Sequence, residues 1–263
     1  MRSATRTALT STRAVLADLG GSADLGTGVE ILESGRIIAS SPQLLTVFAD
    51  PTADAVGKKG IVDRVFASRS LSTRAVLTAV VASRWSSQGD LLAGIEDAGI
   101  RVVAASAPQD VSIEAELFVF ETAVRSDAGL ELALGTKLGS PAEKSALVHR
   151  LLAGKASTQT IEILSHLVQQ PRRRRIGEIV RDASRIVADQ ADKLVATVIT
   201  AAPLTDGQVA QITRGIATRY GRDITINQVV EPAVLGGVRV QVGGDVIDGT
   251  VSSRISELKL QLG

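Results

Sequence analysis

The sequence contains no cysteine, one tryptophan and one tyrosine, and aromatic residues make up only 2% of its 263 residues. The absence of cysteine excludes disulfide bonds and thiolate metal ligands. With so few aromatic side chains, the core has to be built from valine, leucine, isoleucine and alanine, which suits closely packed helices. Hydrophobic residues make up 44% of the chain, enough for the cores of two or three domains of ~100–150 residues each.

Strong net charge and long apolar runs are also missing. The formal net charge is +1, so no overall field attracts the chain to nucleic acid or to a membrane. No apolar run approaches the ~20 residues that a membrane span requires. If the protein works at a membrane, something else has to hold it there.

Residues suited to catalysis are scarce. The two histidines, His149 and His166, fall on different predicted helices without a fixed carboxylate partner, a poor basis for metal or acid–base chemistry. No GxxxxGK[ST] phosphate-binding loop is present, so nucleotide binding is unsupported. The sequence therefore predicts no catalytic residue, no cofactor and no metal site.

The first residues of the chain allow two interpretations. Arg2, Arg6 and Arg13 precede the first acidic residue, Asp18, as in an organellar transit peptide. Regular apolar spacing instead favours a folded helix from Arg2 to Leu19, whose inner face would hold Leu9, Thr12, Leu16 and Leu19.

Several helices follow, separated by turn signals. The glycines between Gly20 and Gly28 predict a flexible joint, with Gly26-Thr27-Gly28 in a loop and the next helix beginning at Val29. Ser41-Pro42 predicts a helix start, because proline suits the first helical position. Ser72 is the predicted cap of a later helix. Residues 101–107 fit either a short strand or a linker.

The helical pattern repeats along the chain. Aligning Lys58 with Lys144 superposes apolar positions over successive helices, and after a one-residue slip Ser72 falls on Ser157. Such a register, held over four helices, predicts a duplicated helical module. The expected domains are a first module over residues 1–105, a second over 106–192 and a C-terminal domain over 193–263.

Four consecutive arginines, Arg172–Arg175, form the strongest charge run. A basic cluster can bind a phosphate backbone. No aromatic residue lies nearby to stack on bases, and Glu178 and Asp182 follow. A solvated inter-helix loop, or a patch for an acidic protein or lipid surface, is therefore the favoured interpretation.

The last seventy residues predict a small α/β domain. A strand begins at Leu194, a helix capped by Thr205 or Asp206 ends at Tyr220-Gly221, and a second strand begins at Ile224. Val238, Val240 and Val242 alternate with polar residues, and a Gly243-Gly244 turn leads to a strand at Val246-Ile247. Asp248 or Thr250 would cap a closing helix from Val251. The predicted fold class is α+β, mainly α, with two tandem helical-bundle modules before this domain.

The terminal stretch also carries a family resemblance. Its pattern, GGVRV at 236–240 and DVIDGTV at 245–251, resembles the C-terminal motif of the delta subunit of F-type ATP synthases. The mitochondrial homologue is the oligomycin-sensitivity-conferring protein. The resemblance implies that the motif shapes the terminal domain or contacts a stalk subunit, through Gly236, Gly237, Asp245, Ile247, Asp248, Gly249, Arg254 and Leu258.

The resemblance implies a non-catalytic stator component that couples proton-driven rotation to ATP synthesis. A helical module would hold N-terminal segments of the alpha subunits, and the terminal domain would hold the b-type peripheral stalk subunit. The protein would be peripheral at the cytoplasmic face of a bacterial cell membrane, attached only through the complex and without nucleic acid.

The usual delta subunit has one helical module, whereas duplication gives this chain two. The second copy is favoured as the head clamp, because it runs straight into the terminal domain. The alternative function is a basic-loop adaptor for nucleic acid, which strong salt dependence would reveal; an enzyme ranks third.

Overall fold

The computed structural model describes residues 3–20, 23–135, 139–234, 236–242 and 245–249. Within them lie twelve helices and a four-stranded sheet near the C-terminus, which confirms the predicted α+β, mainly α, fold class. The helices are α1 (Ser3–Leu19), α2 (Leu25–Ser40), α3 (Pro42–Ala49), α4 (Ala55–Val65), α5 (Leu71–Ala82), α6 (Gln88–Ala105), α7 (Ile113–Ser126), α8 (Ala128–Gly135), α9 (Pro141–Leu152), α10 (Thr158–Gln169), α11 (Ile176–Gln190) and α12 (Asp206–Tyr220). The strands are β1 (Lys193–Thr200), β2 (Asp223–Val230), β3 (Val238–Val242) and β4 (Asp245–Asp248).

The chain divides into two compact units, Met1–Ile186 and Val187–Gly263. The first unit contains α1 to α10 and most of α11, so it spans both predicted helical modules. The second unit contains the end of α11, the sheet and α12. The module limits predicted at residues 105 and 192 stay predictions.

Short polar side chains fix most helix starts. Ser41 accepts a hydrogen bond from the Leu44 amide and Pro42 opens α3, as predicted. The predicted cap Ser72 is wrong, because Ser70 accepts the amide hydrogen of Thr73 and Ser72 lies inside the first turn of α5.

The predicted glycine loop at residues 26–28 is also wrong. Asp24 accepts a hydrogen bond from the Thr27 amide at 2.8 Å, so α2 begins at Leu25 and includes both glycines. Gly28 faces α6, and a Cβ atom at this position would lie 2.6 Å from Cγ2 of Val103. The glycine therefore allows close helix packing, and it does not supply a flexible joint.

Residues 101–105 are helical, which corrects the prediction of a strand or linker. They form the last turns of α6, where Val102 and Val103 are buried. Arg101 Nε also donates to Asp97 Oδ1 at 2.7 Å, one turn earlier in the same helix. Burial and this ion pair outweigh the weak helical preference of valine.

An equivalent hydrogen bond occurs within each of two runs of five helices. We call α2–α6 the first copy and α7–α11 the second copy. Glu30 accepts the amide hydrogen of Ser70, 40 residues later, and Glu116 accepts that of Ser157, 41 residues later. The separation between glutamate and serine is thus one residue longer in the second copy. Ser70 and Ser157 are the equivalent helix caps, so the predicted pairing of Ser72 with Ser157 is wrong. Duplication itself stays a prediction.

In the second unit the strand order is β2-β1-β3-β4. β1 pairs in parallel with β2 through the α12 crossover, and β3 pairs antiparallel with both β1 and β4. The predicted helix cap Thr205 forms a capping box with Gln208, and Gly221 ends α12 in the left-handed conformation. The small core consists of Ala196, Val198, Ile216, Val240 and Val242.

Candidate functional site

The glycines of the terminal motif have backbone roles. Gly236 and Gly237 precede β3 with φ angles of 65° and 84°, a region that favours glycine. The amide of Gly249 donates to the carbonyl oxygen of Val238 at 3.0 Å, and an added Cβ would lie 3.2 Å from that oxygen. These glycines lie at the open end of the terminal hairpin, where the chain enters β3 and leaves β4.

Three further motif residues, Asp245, Ile247 and Asp248, lie on β4. Ile247 pairs with Val240 and packs on the sheet core, Asp248 pairs in register with Arg239, and Asp245 accepts a hydrogen bond from the Tyr220 hydroxyl at 3.1 Å. The two aspartates thus support the fold of the hairpin. The predicted closing helix from Val251, with Thr250, Arg254 and Leu258, lies outside the described residues, as does the Gly243-Gly244 turn.

Both units carry exposed apolar side chains. In the second copy, Val119 on α7 and Leu132 on α8 are 67% and 68% exposed. In the first copy, Val56 on α4 and Leu71, the first residue of α5, are 77% and 78% exposed. On the sheet, Val246 of β4 and Val230 of β2 are 58% and 44% exposed and lie on opposite edge strands.

The two histidines have different environments. His149 is exposed on α9, whereas His166 on α10 is buried. Nη1 of Arg36 on α2 lies 2.8 Å from Nδ1 of His166. Because a guanidinium only donates hydrogen bonds, this nitrogen has to be the unprotonated one, and the ring proton is on Nε2. Burial lowers the pKa of His166, which agrees with a neutral ring.

Glu96 on α6 is the centre of a buried charge cluster. One of its carboxylate oxygens lies 2.5 Å from Nη2 of Arg172 and 3.0 Å from Nη2 of Arg174. His166 Nε2 lies 3.7 Å from the other oxygen, beyond direct hydrogen-bond distance. Burial opposes the charged carboxylate, but His166 and the two arginines outweigh it and lower the pKa of Glu96 to about 2.

The predicted solvated loop at Arg172–Arg175 is therefore wrong for two of its four residues. Arg172 and Arg174 are partly buried on Glu96, whereas Arg173 and Arg175 are exposed. The tight turn places Arg172 and Arg173 at φ angles of 48° and 64°. The nucleic-acid hypothesis loses its main observation, since two of the four arginines pair with an internal carboxylate. No local sequence pattern signals this pairing, because Glu96 belongs to another helix.

A cleft of about 650 Å³ lies beside the cluster, between α2 of the first copy and α9 and α10 of the second. It contains charges of both signs, with Arg36 and Glu33 on one side and Arg150 and Glu162 on the other. Its surface has no dominant charge that would select an ion. Among the described residues, no group of three or more His, Asp or Glu side chains is arranged to hold a metal. No described helix has the length and apolar character needed to cross a membrane.

Comparison with known proteins connects these features to a family. The sequence model of the ATP synthase delta (OSCP) subunit matches residues 101–262. The ATP synthase subunit delta of Leifsonia xyli is 51% identical over 262 residues, covering 100% of this chain and 99% of that protein. The subunit delta of Thermobifida fusca is 33% identical, again over 100% and 99% of the two chains. A chain in the cryo-EM structure of the Toxoplasma gondii mitochondrial ATP synthase hexamer covers 64% of this chain at 20% identity, with a TM-score of 0.40.

The family match and the full-length relatives establish the class as a structural, non-catalytic subunit of ATP synthase, part of its stator. The chain belongs to the ATP synthase delta (OSCP) subunit family. The family model begins at residue 101, near the end of α6, so most of the first copy precedes the matched region.

Proposed function

We propose that the chain connects the catalytic head of an F-type ATP synthase to its peripheral stalk. The observation that carries this proposal is the family match, which covers the second copy and the terminal domain together. A connector that resists rotor torque needs two separate binding surfaces and no reacting group. The second copy and the terminal domain each expose apolar side chains that suit such contacts.

The head contact is assigned to the second copy, with N-terminal segments of the alpha subunits as the partner. An amphipathic helix commonly binds by placing its apolar side in a hydrophobic groove. Val119 and Leu132 are the largest exposed apolar side chains of α7 and α8, two helices that pack together. They are therefore the positions where a docked segment would bury apolar surface.

Placing aspartate at these two positions should abolish most of the alpha contact. An unpaired carboxylate buried in an apolar contact costs about 2 kcal/mol or more, so the Kd of the Val119→Asp and Leu132→Asp variants should rise about 30-fold. Calorimetry of the full chain with the N-terminal peptide of the alpha subunit measures this change. The matched controls are Val56→Asp and Leu71→Asp, which lie on the first copy with similar exposure.

The controls also decide which copy binds the peptide. If Val56→Asp and Leu71→Asp weaken binding while the second-copy variants bind normally, the clamp is the first copy and this assignment is wrong. Circular dichroism of all four variants should match that of the parent chain, because the substituted side chains are exposed and make little contribution to the core.

The stalk contact is assigned to the β4 edge of the terminal sheet, with the b-type subunit as the partner. The family motif runs along β4, and Val246 at its centre is exposed. We expect Val246→Asp to weaken binding of a soluble b-subunit fragment about 30-fold for the same reason. Val230→Asp, on the opposite edge strand, should leave that binding within about twofold, a change smaller than ~0.5 kcal/mol.

Surface plasmon resonance with immobilised b fragment measures both variants. Equal loss in Val246→Asp and Val230→Asp would contradict an edge-specific contact. Each variant should still bind the alpha peptide, which separates a lost stalk surface from a misfolded chain. In the cell, these two contacts would place the protein at the cytoplasmic face of the membrane, attached only through the complex.

A further inference from the structure

The buried charge cluster lies where the two helical copies meet. Glu96 on α6 and Arg36 on α2 come from the first copy, and His166, Arg172 and Arg174 come from the second. The contacts Glu96–Arg172, Glu96–Arg174, Glu96–His166 and Arg36–His166 all run from one copy to the other. Contacts of α10 with α2 and α6 accompany them. The cluster therefore joins the two copies.

The geometry fixes the protonation of this junction. Arg36 donates to Nδ1 of His166 at 2.8 Å, so a second ring proton would face a guanidinium. When the copies separate, the ring is free to take up that proton. When the copies separate, the carboxylate of Glu96 would lose its ion pairs with Arg172 and Arg174 and would be hydrated instead.

We propose that Glu96, His166, Arg172 and Arg174 form a proton-sensitive latch that locks the first helical copy onto the second. The latch gives the first copy a mechanical role as a brace for the second copy. This role does not depend on which subunit either copy binds, so its tests stand apart from those of the proposed function.

Several groups act on His166 from the surrounding elements. Arg36 of α2 and Arg172 of the loop oppose a positive ring, whereas Glu96 of α6 favours it. From α9, His149 and Arg150 line the neighbouring cleft, and Glu162 lies one turn away on α10 itself. From α7, Glu116 contacts α10 only at its start, at Ser157. Burial dominates the balance and lowers the pKa of His166.

Acid should therefore weaken the latch in a defined range. A histidine whose pKa is lowered in the closed form stabilises that form fully above its ordinary pKa of ~6.5, and the stabilisation is lost as the pH falls below that value. If the closed form takes up no proton, the opening equilibrium rises about tenfold between pH 7.5 and pH 5.5. Glu96 adds a second loss only below pH ~4.5, the ordinary pKa of a glutamate.

The single tryptophan makes the first copy directly observable. Trp85 is buried in the core of the first copy, so its fluorescence during denaturant unfolding reports on that copy. In the full chain, Arg172→Gln/Arg174→Gln should raise the unfolding constant seen by Trp85 about a hundredfold, because Glu96 is left buried without a counter-charge. The matched control Arg173→Gln/Arg175→Gln, in the same loop but exposed, should change it less than about threefold.

A substitution deep in the second copy tests the connection itself. Val148 is fully buried on α9, which packs on α10. Val148→Ala should shift the denaturant midpoint of the Trp85 transition in the parent chain. It should leave that midpoint unchanged in the Arg172→Gln/Arg174→Gln background, where the latch is open. An equal shift in both backgrounds, or no shift in the parent, would overturn the latch.

The proton sensitivity is tested on the parent chain and on His166→Gln. Glutamine can accept from Arg36 and donate towards Glu96, but it does not titrate between pH 5.5 and 7.5. In the parent, the unfolding constant reported by Trp85 should rise about tenfold as the pH falls from 7.5 to 5.5, or about 1.4 kcal/mol. In the variant the unfolding constant should rise less than about twofold, and a similar rise in both proteins would overturn the assignment to His166.

Discussion

Replacing Glu96 by alanine is expected to destabilise the helical unit by about 3–5 kcal/mol, the usual cost of removing one partner from a buried ion pair. The variant leaves Arg172 and Arg174 partly buried without the carboxylate that lies 2.5 and 3.0 Å from them. It also removes the acid that faces His166. Urea unfolding followed by Trp85 fluorescence and by circular dichroism measures the change.

Glu178→Ala is the control for this prediction. Glu178 is exposed in the first turn of α11, shortly after the same loop, so its loss should cost less than about 1 kcal/mol. The Glu96 effect should also depend on acid. Because the pKa of Glu96 is lowered to about 2, its contribution is complete above pH ~4.5 and decreases as the pH falls towards 2. Similar stabilities of Glu96→Ala and Glu178→Ala at pH 7 would show that the cluster contributes little.

Replacing Gly94 by alanine is expected to destabilise the first copy by about 3 kcal/mol, at the upper end of the usual cost of overpacking a core. A Cβ at this position would lie 2.0 Å from Cη2 of Trp85. The indole cannot move freely, because its Nε1–H donates to the carbonyl oxygen of Val80 at 2.7 Å and the ring is buried. Thermal unfolding gives the loss, and a shift of tryptophan emission reports displacement of the ring.

Gly60→Ala should have the opposite sign. Gly60 lies inside α4 with open space where a Cβ would stand. Alanine there gains about 1 kcal/mol, because glycine is the poorer helix former. Both substitutions add one methyl group to a helical glycine, so the difference between them isolates the contact with Trp85. Stabilisation by Gly94→Ala would mean that the indole relaxes away from the new methyl group without loss.

Local chemistry made much of the terminal domain predictable. The alternation of Val238, Val240 and Val242 predicted β3, and Thr205 and Gly221 were expected at the two ends of α12, where the structure places them. Each of these signals involves residues within a few positions of one another. A period-2 pattern, a cap and a left-handed glycine act over one turn or one strand, so the sequence displays them directly.

The errors arose where packing overrides local preference. Gly26 and Gly28 suggest a loop, yet Asp24 caps a helix that includes both, and α6 lies so close to Gly28 that only a residue without a side chain fits there. Val102 and Val103 suggest a strand, yet their burial keeps them in α6. In each case the deciding neighbour lies on a distant segment, which a local pattern cannot reveal.

The sequence by itself determined the family, the mainly helical class and the terminal hairpin, because the spacing of motif and apolar residues along the chain carries that information. Only the tertiary structure determined which arginines of the most highly charged loop are paired and which are exposed. Arg172 and Arg174 bind a carboxylate on α6, while their neighbours Arg173 and Arg175 remain exposed. Four identical residues in a row acquire two roles because buried charge pairing depends on which groups folding brings within a few ångströms.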